Sequence, residues 1–489
     1  MPSTNSLRPR RWTAVAALAV ALAGCATNPV TGKQELSLVS EADEINMGRQ
    51  AAQQVEQSIG FVQNAEMQNY VQRIGAELAA RSERPNLPWT FRVVDDPTPN
   101  AFALPGGFIF VTRGMMTLME SEAELATVLG HEIGHVTARH SVQQMSRQQL
   151  AQLGLVLGAI IAPNTVGQLG NVAGQGLQLL FLKYGRDDER QADELGFRYA
   201  LADGYDVREM ADVFQALERE QQLTNQSPLP QWLSTHPYPE ERIKAVQQRL
   251  AQLNRPLEGL KVDEPQYMQA INGLVYGENP RNGFFSGGVF MHPDLRFRVT
   301  FPNGWKAQNT AQAVIAVSPE QDAAIQLTLA QGNSPDQAAQ QFLSQQGVQA
   351  GQAARESLNG NPAVLSYFQA QTEQGVIAGL ATFVSYGGHT YQILSYAPQQ
   401  RFGAYDALFR SVAASFSSLT DPRALNVQPD RLTIVRLPQA MTLAEFNQRY
   451  PSAVPLTELA IINQVDGGAS TLPSGSLVKR VQGNAAAGN

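Results

Sequence analysis

The chain is poor in cysteine and has no excess of basic residues. Cys25 is the only cysteine among 489 residues, so no disulfide can form within the chain. Lysine and arginine total 36 against 43 aspartates and glutamates, which gives a formal net charge of −7. A modestly acidic surface argues against nucleic acid and anionic lipid headgroups as main partners. The length is enough for about three domains, which must be held together without covalent cross-links.

The N-terminus has the features of an export signal. A segment with three arginines precedes the apolar run Ala14–Ala23, which is too short to span a bilayer. The run ends in Leu-Ala-Gly-Cys at positions 22–25, which resembles a bacterial lipobox. This pattern predicts cleavage before Cys25 and lipid attachment to its thiol. The alternative is a plain signal peptide followed by an incidental cysteine.

Lipidation would place the chain in a bacterial envelope, facing the periplasm. Ala26, rather than an aspartate, follows the cysteine, which by analogy with other lipoproteins indicates sorting to the outer membrane. Loss of residues 1–24 removes three arginines and no acid, so the formal net charge moves from −7 to −10. Membrane attachment is therefore expected to come from acyl chains and not from surface charge.

The most informative motif is His131-Glu132-Ile133-Gly134-His135, in a chain that has only six histidines. Positions i and i+4 lie on one face of a helix, so both imidazoles could bind one metal ion. Glu132 follows the first histidine, where its carboxylate can reach a water molecule at that metal. Neutral imidazoles suit Zn²⁺, and metalloproteases use this glutamate as a general base. The alternative is a buried helix with two hydrogen-bonded core histidines.

The surrounding sequence predicts the helix that this motif requires. Ser121 and Glu124 fit a capping box at its start. Apolar residues then recur at helical spacing, at Leu125, Val128, Leu129, Ile133 and Val136. The helix is expected to be roughly 20 residues long. His140 comes five residues after His135, would point away from the ligand face, and is interpreted as structural.

A catalytic zinc takes a third protein ligand and leaves its fourth position for water. Glu189 and Asp193 are four residues apart and would share a helix face. One carboxylate could bind the metal, and the other could accept a hydrogen bond from the far nitrogen of a ligand histidine. The alternative is an acidic helix face exposed to solvent.

His131-Glu132-x-x-His135 followed by Glu189-x-x-x-Asp193 resembles the gluzincin zinc metallopeptidases. The resemblance is closer to the group that includes HtpX and the CAAX prenyl endopeptidases, and within it to the soluble periplasmic members. It covers roughly residues 30–250 and extends, in the same order, to Asn100–Gly107, Val111–Gly114, Glu124–Ala126, Arg139-His140 and His236-Pro237-x-x-x-x-Arg242. It implies one Zn²⁺ per chain held by His131, His135 and Glu189. It also implies Glu132 as the general base and Asp193 as the partner of a ligand histidine.

Three further site residues follow from the resemblance. His236 is a candidate either for donating to the reaction's oxyanion or for acting as a fourth ligand that silences the enzyme. The alternative is a simple turn residue before a proline. The resemblance also makes Phe108–Val111 the edge strand beside the active site, where an extended peptide could pair, although an ordinary core strand is an alternative. Asn100 and Ala101 are expected to line the cleft.

The expected fold class is α+β, with several domains. The predicted segments are a signal peptide (1–24), a tether (25–40), a mostly helical zincin-type metalloprotease domain with a small β-sheet (41–251), a linker (252–289), an accessory α+β domain weakly similar to PsbP-like or Mog1-like folds (290–420), a faintly LysM-like module (431–481) and a disordered tail (482–489). The accessory domain shows no catalytic constellation. A LysM-like module would bind peptidoglycan.

Residues 150–182 are apolar and rich in glycine, but their apolar run Leu153–Ala162 is about half the length of a membrane span. This segment is interpreted as a mobile helical segment beside the cleft, either a lid or a surface for a membrane protein partner.

Together the motifs predict a zinc-dependent endopeptidase that is anchored to the envelope by lipid. The resemblance implies misfolded or stalled envelope proteins as substrates, with an outer-membrane assembly machine as a candidate partner. The opposing hypothesis is a non-enzymatic chaperone or assembly scaffold whose site is a relict or is latched shut.

Overall fold

A computed structural model describes residues 25–147, 184–224, 231–237, 239–310, 312–372 and 375–483 of the chain. They divide into two compact units, and the first contains Phe61–Leu274 and Leu432–Val481 together with residues before position 57. The second contains Val275–Arg431. The predicted signal peptide and the predicted lid or partner segment, residues 150–182, lie outside the described residues. Among the helices of the described ranges, none combines the length and the apolar character needed to cross a membrane.

Up to residue 274 the first unit is mostly helical and carries one two-stranded sheet and one three-stranded sheet. Its strands are β1 (Cys25–Thr27), β2 (Gln34–Leu36), β3 (Thr90–Val94), β4 (Ala101–Leu104) and β5 (Phe108–Thr112). Its helices are α1 (Glu41–Ser58), α2 (Ala65–Ala79), α3 (Arg113–Leu118), α4 (Glu122–Thr137), α5 (Arg186–Ala202), α6 (Glu209–Thr224), α7 (Gln231–Thr235), α8 (Pro239–Gln252) and α9 (Glu264–Ile271).

Helix α9 lies in the segment that the sequence predicts to be a linker. Its Tyr267 is fully buried, and the hydroxyl donates to the carbonyl of Met116 at 2.6 Å. The stretch after α8 therefore packs into the first unit instead of only connecting domains.

The three-stranded sheet of the first unit has the order β3-β5-β4, with β5 parallel to β3 and antiparallel to β4. The predicted edge strand is thus wrong, because Phe108–Val111 belongs to the middle strand. Gly106 and Gly107 have φ values of 80° and 103°, which allow the chain to turn back from β4 into β5. The two edge positions of this sheet are taken by β3 and β4.

Helix α4 carries the His-Glu-x-x-His motif and begins at the predicted N-cap Ser121, while the Glu124 carboxylate accepts from the backbone N–H of Glu120 and not from that of Ser121. The Ser121 hydroxyl accepts from the backbone N–H of Glu124 at 3.0 Å, so the N-cap satisfies one of the free donors of the first turn. Every residue of α4 is buried. The helix is therefore surrounded by the first unit, and its polar side chains must find partners inside it.

Helices α4 and α5 approach closely because glycines line their contact. A Cβ atom on Gly196 would lie 2.6 Å from the backbone nitrogen of His131, and one on Gly134 would lie 2.9 Å from the carbonyl oxygen of Ala192. Such distances leave no space for a side chain. The glycines therefore set the helix separation that brings the acidic residues of α5 to the histidines of α4.

The end of α4 differs from the predicted helix of roughly 20 residues. The helix stops at Thr137, Arg139 adopts a left-handed φ of 61°, and helical structure resumes over residues 140–147. A left-handed residue reverses the direction of the chain. His140 is consequently placed on the side of His135 instead of facing away from it.

The second unit is an α+β domain built on antiparallel sheets. Its larger sheet has seven strands in the order β12-β13-β14-β15-β11-β10-β9, and its smaller sheet has the order β16-β8-β7-β6. The strands are β6 (Phe284–Ser286), β7 (Val289–His292), β8 (Phe297–Thr300), β9 (Lys306–Asn309), β10 (Ala313–Val317), β11 (Ala324–Leu329), β12 (Val348–Leu358), β13 (Asn361–Thr372), β14 (Gly375–Tyr386), β15 (His389–Pro398) and β16 (Ser417–Ser418). The helices are α10 (Pro335–Leu343), α11 (Phe402–Ala414) and α12 (Pro422–Leu425).

Alternating residues of strand β13 serve two separate hydrophobic cores. Leu365 packs with Phe409 of helix α11, whereas Val364 and Phe368 pack with Ala338 and other apolar residues of helix α10. Since successive side chains of a strand point to opposite faces, the two helices cover opposite faces of the large sheet.

The C-terminal segment belongs to the first unit and consists of two strands, two helices and two further strands. Its elements are β17 (Arg431–Arg436), β18 (Met441–Thr442), α13 (Leu443–Arg449), α14 (Leu456–Ile462), β19 (Thr471–Leu472) and β20 (Leu477–Gln482), with β17 paired to β20. The fully buried Lys479 donates its ammonium to the carbonyls of Thr117 at 3.1 Å and Met119 at 2.9 Å. The Gln464 amide donates to the Glu124 carboxylate at 2.9 Å. These contacts support the start of α4. The LysM-like interpretation stays a prediction.

Candidate metal centre

Four buried side chains from three parts of the first unit converge on one point. His131 and His135 come from α4, Glu189 comes from α5, and His236 follows α7. One ligand atom of each lies within 4.8 Å of the corresponding atoms of the other three. Each of the four residues is at most 2% exposed. The geometry therefore brings together the two predicted histidine ligands, the predicted carboxylate ligand and the predicted residue near the metal.

The distances fit a single tetrahedral metal ion. Bonds of about 2.0–2.1 Å in a tetrahedron separate the ligand atoms by about 3.3–3.4 Å. The Nε2 atom of His131 is 3.0 Å from Nε2 of His135 and 3.2 Å from Nδ1 of His236. The Oε1 atom of Glu189 is 2.9 Å from His236 Nδ1 and 3.5 Å from His135 Nε2. Three imidazole nitrogens and one carboxylate form a donor set that suits Zn²⁺.

The imidazole of His131 is oriented by an aspartate and an arginine. Its Nδ1 atom lies 2.9 Å from Oδ1 of Asp193, which leaves Nε2 to face the centre. Arg242 donates to both oxygens of Asp193, at 2.9 Å from Nε and 2.6 Å from Nη2. Its Nη1 is 3.2 Å from Oε2 of Glu189. The sequence predicts the carboxylate partner of His131. It includes Arg242 in a family motif but does not predict that Arg242 binds Asp193 and Glu189.

Burial and charge act in opposite directions on the two carboxylates. Burial alone would raise the pKa of Asp193, but the Arg242 guanidinium and the His131 contact outweigh it and hold that pKa below its usual value. The pKa of Glu189 is also lowered, because His236 and Arg242 outweigh its burial. Both residues are therefore held as anions, the state in which one can bind a cation and the other can accept from His131.

Glu132 points into the same buried site but is not part of the ligand group. Its Oε1 is 3.6 Å from Nε2 of His236. Within the described residues, neither carboxylate oxygen makes a hydrogen bond of normal geometry. Burial raises the pKa of Glu132 to about 7. A buried carboxylate with free oxygens and a pKa near neutrality is suited to accept and return a proton.

His135 has two ring neighbours that sequence reasoning missed. The ring of Tyr184 stacks on it with a centroid distance of 3.9 Å, and Nδ1 of His140 lies 2.9 Å from its Nδ1. The hydroxyl of Tyr184 is 2.8 Å from Oγ of Ser141. The motif Arg139-His140 was the available signal for His140. Its role depends on the chain reversal at Arg139, which helical periodicity does not indicate.

His236 is held by aromatic contacts as well as by the centre. The ring of Trp232 stacks on it at a centroid distance of 4.9 Å, and the His236 backbone N–H donates to the Trp232 carbonyl at 2.7 Å. The Arg242 guanidinium lies 4.6 Å from the centre of the same Trp232 ring. These contacts fix the imidazole with Nδ1 toward the other ligand atoms.

The remaining predicted site residues have different surroundings. Asn100 and Ala101 are buried at the start of β4, and Oδ1 of Asn100 has no hydrogen-bond partner among the described residues. The Asn100 backbone N–H donates to Oγ1 of Thr112 at 2.9 Å. The backbone of Cys25 pairs with Leu36 between β1 and β2. A substrate cleft at Asn100 and Ala101, and lipidation at Cys25, stay predictions.

A histidine pair on one helix, a glutamate ligand on a second helix and a free glutamate beside them define a gluzincin-type metallopeptidase site. Residues 65–250 match the model of Peptidase family M48, so this part of the chain is similar to an M48 peptidase domain. The predicted resemblance is thereby confirmed.

Curated relatives match part of the chain. A putative beta-barrel assembly-enhancing protease of Vibrio cholerae is 32% identical over 199 residues, which are 38% of this chain and 40% of the relative. The beta-barrel assembly-enhancing protease of Escherichia coli K12 is 28% identical over 47% of this chain and 48% of its own length. Mitochondrial metalloendopeptidase OMA1 of Arabidopsis thaliana is 35% identical over 35% of this chain and 33% of its own length. The chain spans less than half the length of these relatives.

Among solved structures, cyanobacterial PsbP from Synechocystis sp. PCC 6803 aligns over 27% of this chain and 94% of its own length, with 15% identity and a TM-score of 0.23. The α+β architecture of the second unit rests on its own strands and helices. Its PsbP-like or Mog1-like character stays a prediction.

Proposed function

We propose that the chain is a zinc-dependent endopeptidase with one Zn²⁺ per chain. The observation that carries the proposal is the convergence of His131, His135, Glu189 and His236 with Glu132 directly beside them. When bound, zinc acidifies water and polarises the carbonyl of the bond to be cleaved. The family match of residues 65–250 supports the same reaction class.

The side chains divide the work of peptide hydrolysis. Glu132 accepts a proton from the attacking water on a carboxylate oxygen and later returns it to the departing amine, as a general base and then a general acid. Asp193 and Arg242 hold His131 and Glu189 in place through the contacts at 2.6–3.2 Å. The buried surroundings exclude bulk water from these groups, which strengthens the electrostatic interactions among them.

The wild-type protein without residues 1–25 provides the direct test. It should contain about one zinc per chain and should cleave an unfolded protein. A strong chelator should abolish cleavage, and added zinc should restore it. Zinc at full occupancy without any proteolysis, in wild type and also in His236→Ala, would instead favour the scaffold hypothesis. Absence of tight zinc binding would contradict both the site and the activity.

His236 is proposed as a fourth ligand that holds the enzyme in an inactive resting state. Its Nδ1 lies 3.2 Å from Nε2 of His131 and 2.9 Å from Oε1 of Glu189. These distances are close to the separation expected between two atoms that bind the same zinc ion. Such a ligand occupies the position that water needs for the reaction.

Replacement of His236 should separate the latch from the oxyanion-donor alternative. We expect His236→Ala to keep about one zinc per chain, because three protein ligands suffice for a catalytic site, and to cleave unfolded protein faster than wild type. Initial rates at equal zinc content measure this, with His389→Ala as a control at an exposed histidine. A loss of activity with zinc retained would support the oxyanion role instead.

We propose envelope proteins that are misfolded or stalled in assembly as the substrates. The names of the bacterial relatives support a link to β-barrel assembly and make an outer-membrane assembly machine the candidate partner. The lipobox-like sequence at positions 22–25 supports a lipid anchor at Cys25 and a periplasm-facing location at the outer membrane. Release of a Cys25→Ala protein from membranes, with wild type retained there, tests the anchor.

Peptidoglycan binding by residues 431–481 is a separate proposal, supported by the two helices that lie between paired strands in this segment. Sedimentation of the full-length protein with isolated peptidoglycan, at a salt concentration that suppresses charge contacts, tests it. Protein that stays in the supernatant would remove this partner.

A further inference from the structure

The side chains of His140 and Gln191 lie behind His135, on the side of its ring that faces away from the metal centre. Nδ1 of His140 lies 2.9 Å from Nδ1 of His135, and Nε2 of His140 lies 3.0 Å from Oε1 of Gln191. His135 and His140 are 1% and 2% exposed, so water does not replace these contacts. The three side chains form one continuous hydrogen-bonded row that ends at the metal-facing Nε2 of His135.

The row permits only one arrangement of protons when His135 binds a metal. Binding through Nε2 needs a lone pair there, so the proton of the neutral imidazole must sit on Nδ1. Only one proton fits between two facing nitrogens, so Nδ1 of His140 must accept it. The proton of His140 then sits on Nε2 and is donated to the carbonyl oxygen of Gln191. The opposite order of protons would place a hydrogen on His135 Nε2 and block the metal.

We propose that His140 and Gln191 are positioning residues that hold His135 in its metal-binding tautomer. The amide oxygen of Gln191 only accepts, so it favours the Nε2–H form of His140, and His140 in turn favours the Nδ1–H form of His135. The charged Asp193 has the same effect on His131, because it accepts a hydrogen bond from Nδ1 and so favours the tautomer with a free Nε2. The two histidine ligands are thus oriented by different groups. A carboxylate orients His131, whereas the neutral side chains of His140 and Gln191 orient His135.

Zinc affinity measured by competition with a chromophoric chelator tests the proposal. His140→Leu removes the acceptor while nearly keeping the volume, and it should weaken zinc binding by about 10–100-fold. His140→Asn offers an amide oxygen near the position of Nδ1 and should stay within about threefold of wild type. Gln191→Met should weaken binding in the same direction but by less, since it acts through His140.

Two controls separate positioning from packing. Val142→Ala opens a cavity in the same helical segment, at a residue that is 1% exposed, without touching the row. It should lower the melting temperature of the zinc-free protein but leave zinc affinity unchanged. Equal loss of zinc affinity in Val142→Ala and His140→Leu would overturn the proposal, as would wild-type affinity in His140→Leu.

The position of the proton on His140 can be measured directly, and it would not change if His140 and Gln191 only filled space. In the zinc-free wild type, long-range ¹H–¹⁵N spectra of labelled histidine should show the His140 proton on Nε2, and in zinc-free Gln191→Met they should show a mixture of the two tautomers. A proton on Nδ1 of wild-type His140 would overturn the proposal even if a variant fails to fold. The inference rests on the proposed zinc site, but it is read from binding and not from proteolysis. Wild type that binds no zinc contradicts the proposed function, whereas tight wild-type binding with no effect of His140→Leu contradicts only the row.

Discussion

Glu132→Gln should reduce cleavage of an unfolded protein by about 10²–10⁴-fold, since that is what a positioned general acid–base group contributes. Zinc content should stay at the wild-type level, because Glu132 is not among the four converging ligand residues. Glutamine keeps the shape of the side chain and removes its capacity to take a proton. Initial rates at saturating substrate and metal analysis of the same samples measure both quantities.

The matched control for this change is Glu194→Gln, an exposed glutamate on α5. It alters the same chemical group one residue after Asp193 and should leave both activity and zinc content unchanged. Residual activity of Glu132→Gln near the wild-type rate would mean that another group acts as the base. The inactive variant is also the best trap for substrates, since it should retain bound proteins in cells that wild type would cleave.

Arg242→Met should destabilise the zinc-free protein by about 3–5 kcal/mol, the usual cost of removing one partner from a buried ion pair. Arg242 is 3% exposed and faces the carboxylates of Asp193 and Glu189, so its loss leaves two buried charges without their common cation. Its guanidinium also lies 4.2 Å from the centre of the Phe214 ring. Methionine retains much of the volume and none of the charge. Urea unfolding followed by circular dichroism measures the change.

Arg190→Met is the control, because Arg190 is 68% exposed and pairs with Asp187 in the same helix. A surface pair of this kind contributes about 0–1 kcal/mol. Arg242→Lys should recover only part of the loss, since one ammonium cannot reproduce the forked contacts of a guanidinium. An equal loss of unfolding free energy in Arg242→Met and Arg190→Met would contradict this prediction. It would show that Asp193 and Glu189 do not need the Arg242 guanidinium for stability.

Local spacing was enough to predict the parts of the site that one helix contains. His131 and His135 share a face because of helical periodicity, and Ser121 caps the helix because its side chain and Glu124 are local to one turn. Glu189 needed more than spacing, since residues alone left it open which carboxylate would bind the metal. The resemblance assigned it, and the structure brings it to the two histidines.

The features that sequence reasoning missed depend on contacts between distant segments. The place of His140 follows from the left-handed Arg139, and Arg242 of α8 contacts Asp193 of α5 across 49 positions of the chain. The order of the small sheet depends on a turn at two glycines, so the motif could not decide which strand lies at the edge. Hydrophobic periodicity predicts which face of a helix or strand is buried, but it does not predict which other elements pack against that face.

The C-terminal contacts also determine when the metal-binding unit can be complete. Lys479 bonds to the carbonyl of Met119 across 360 positions of the chain, and Gln464 bonds to Glu124 across 340. Since domains generally assemble from the N-terminus as a chain is made, the support for the start of α4 arrives last. A chain interrupted during synthesis or export would carry every ligand of the centre and still lack this brace. The segment from Met119 to Glu124, at the start of α4, thus depends on contacts with residues that lie 360 and 340 positions further along the chain.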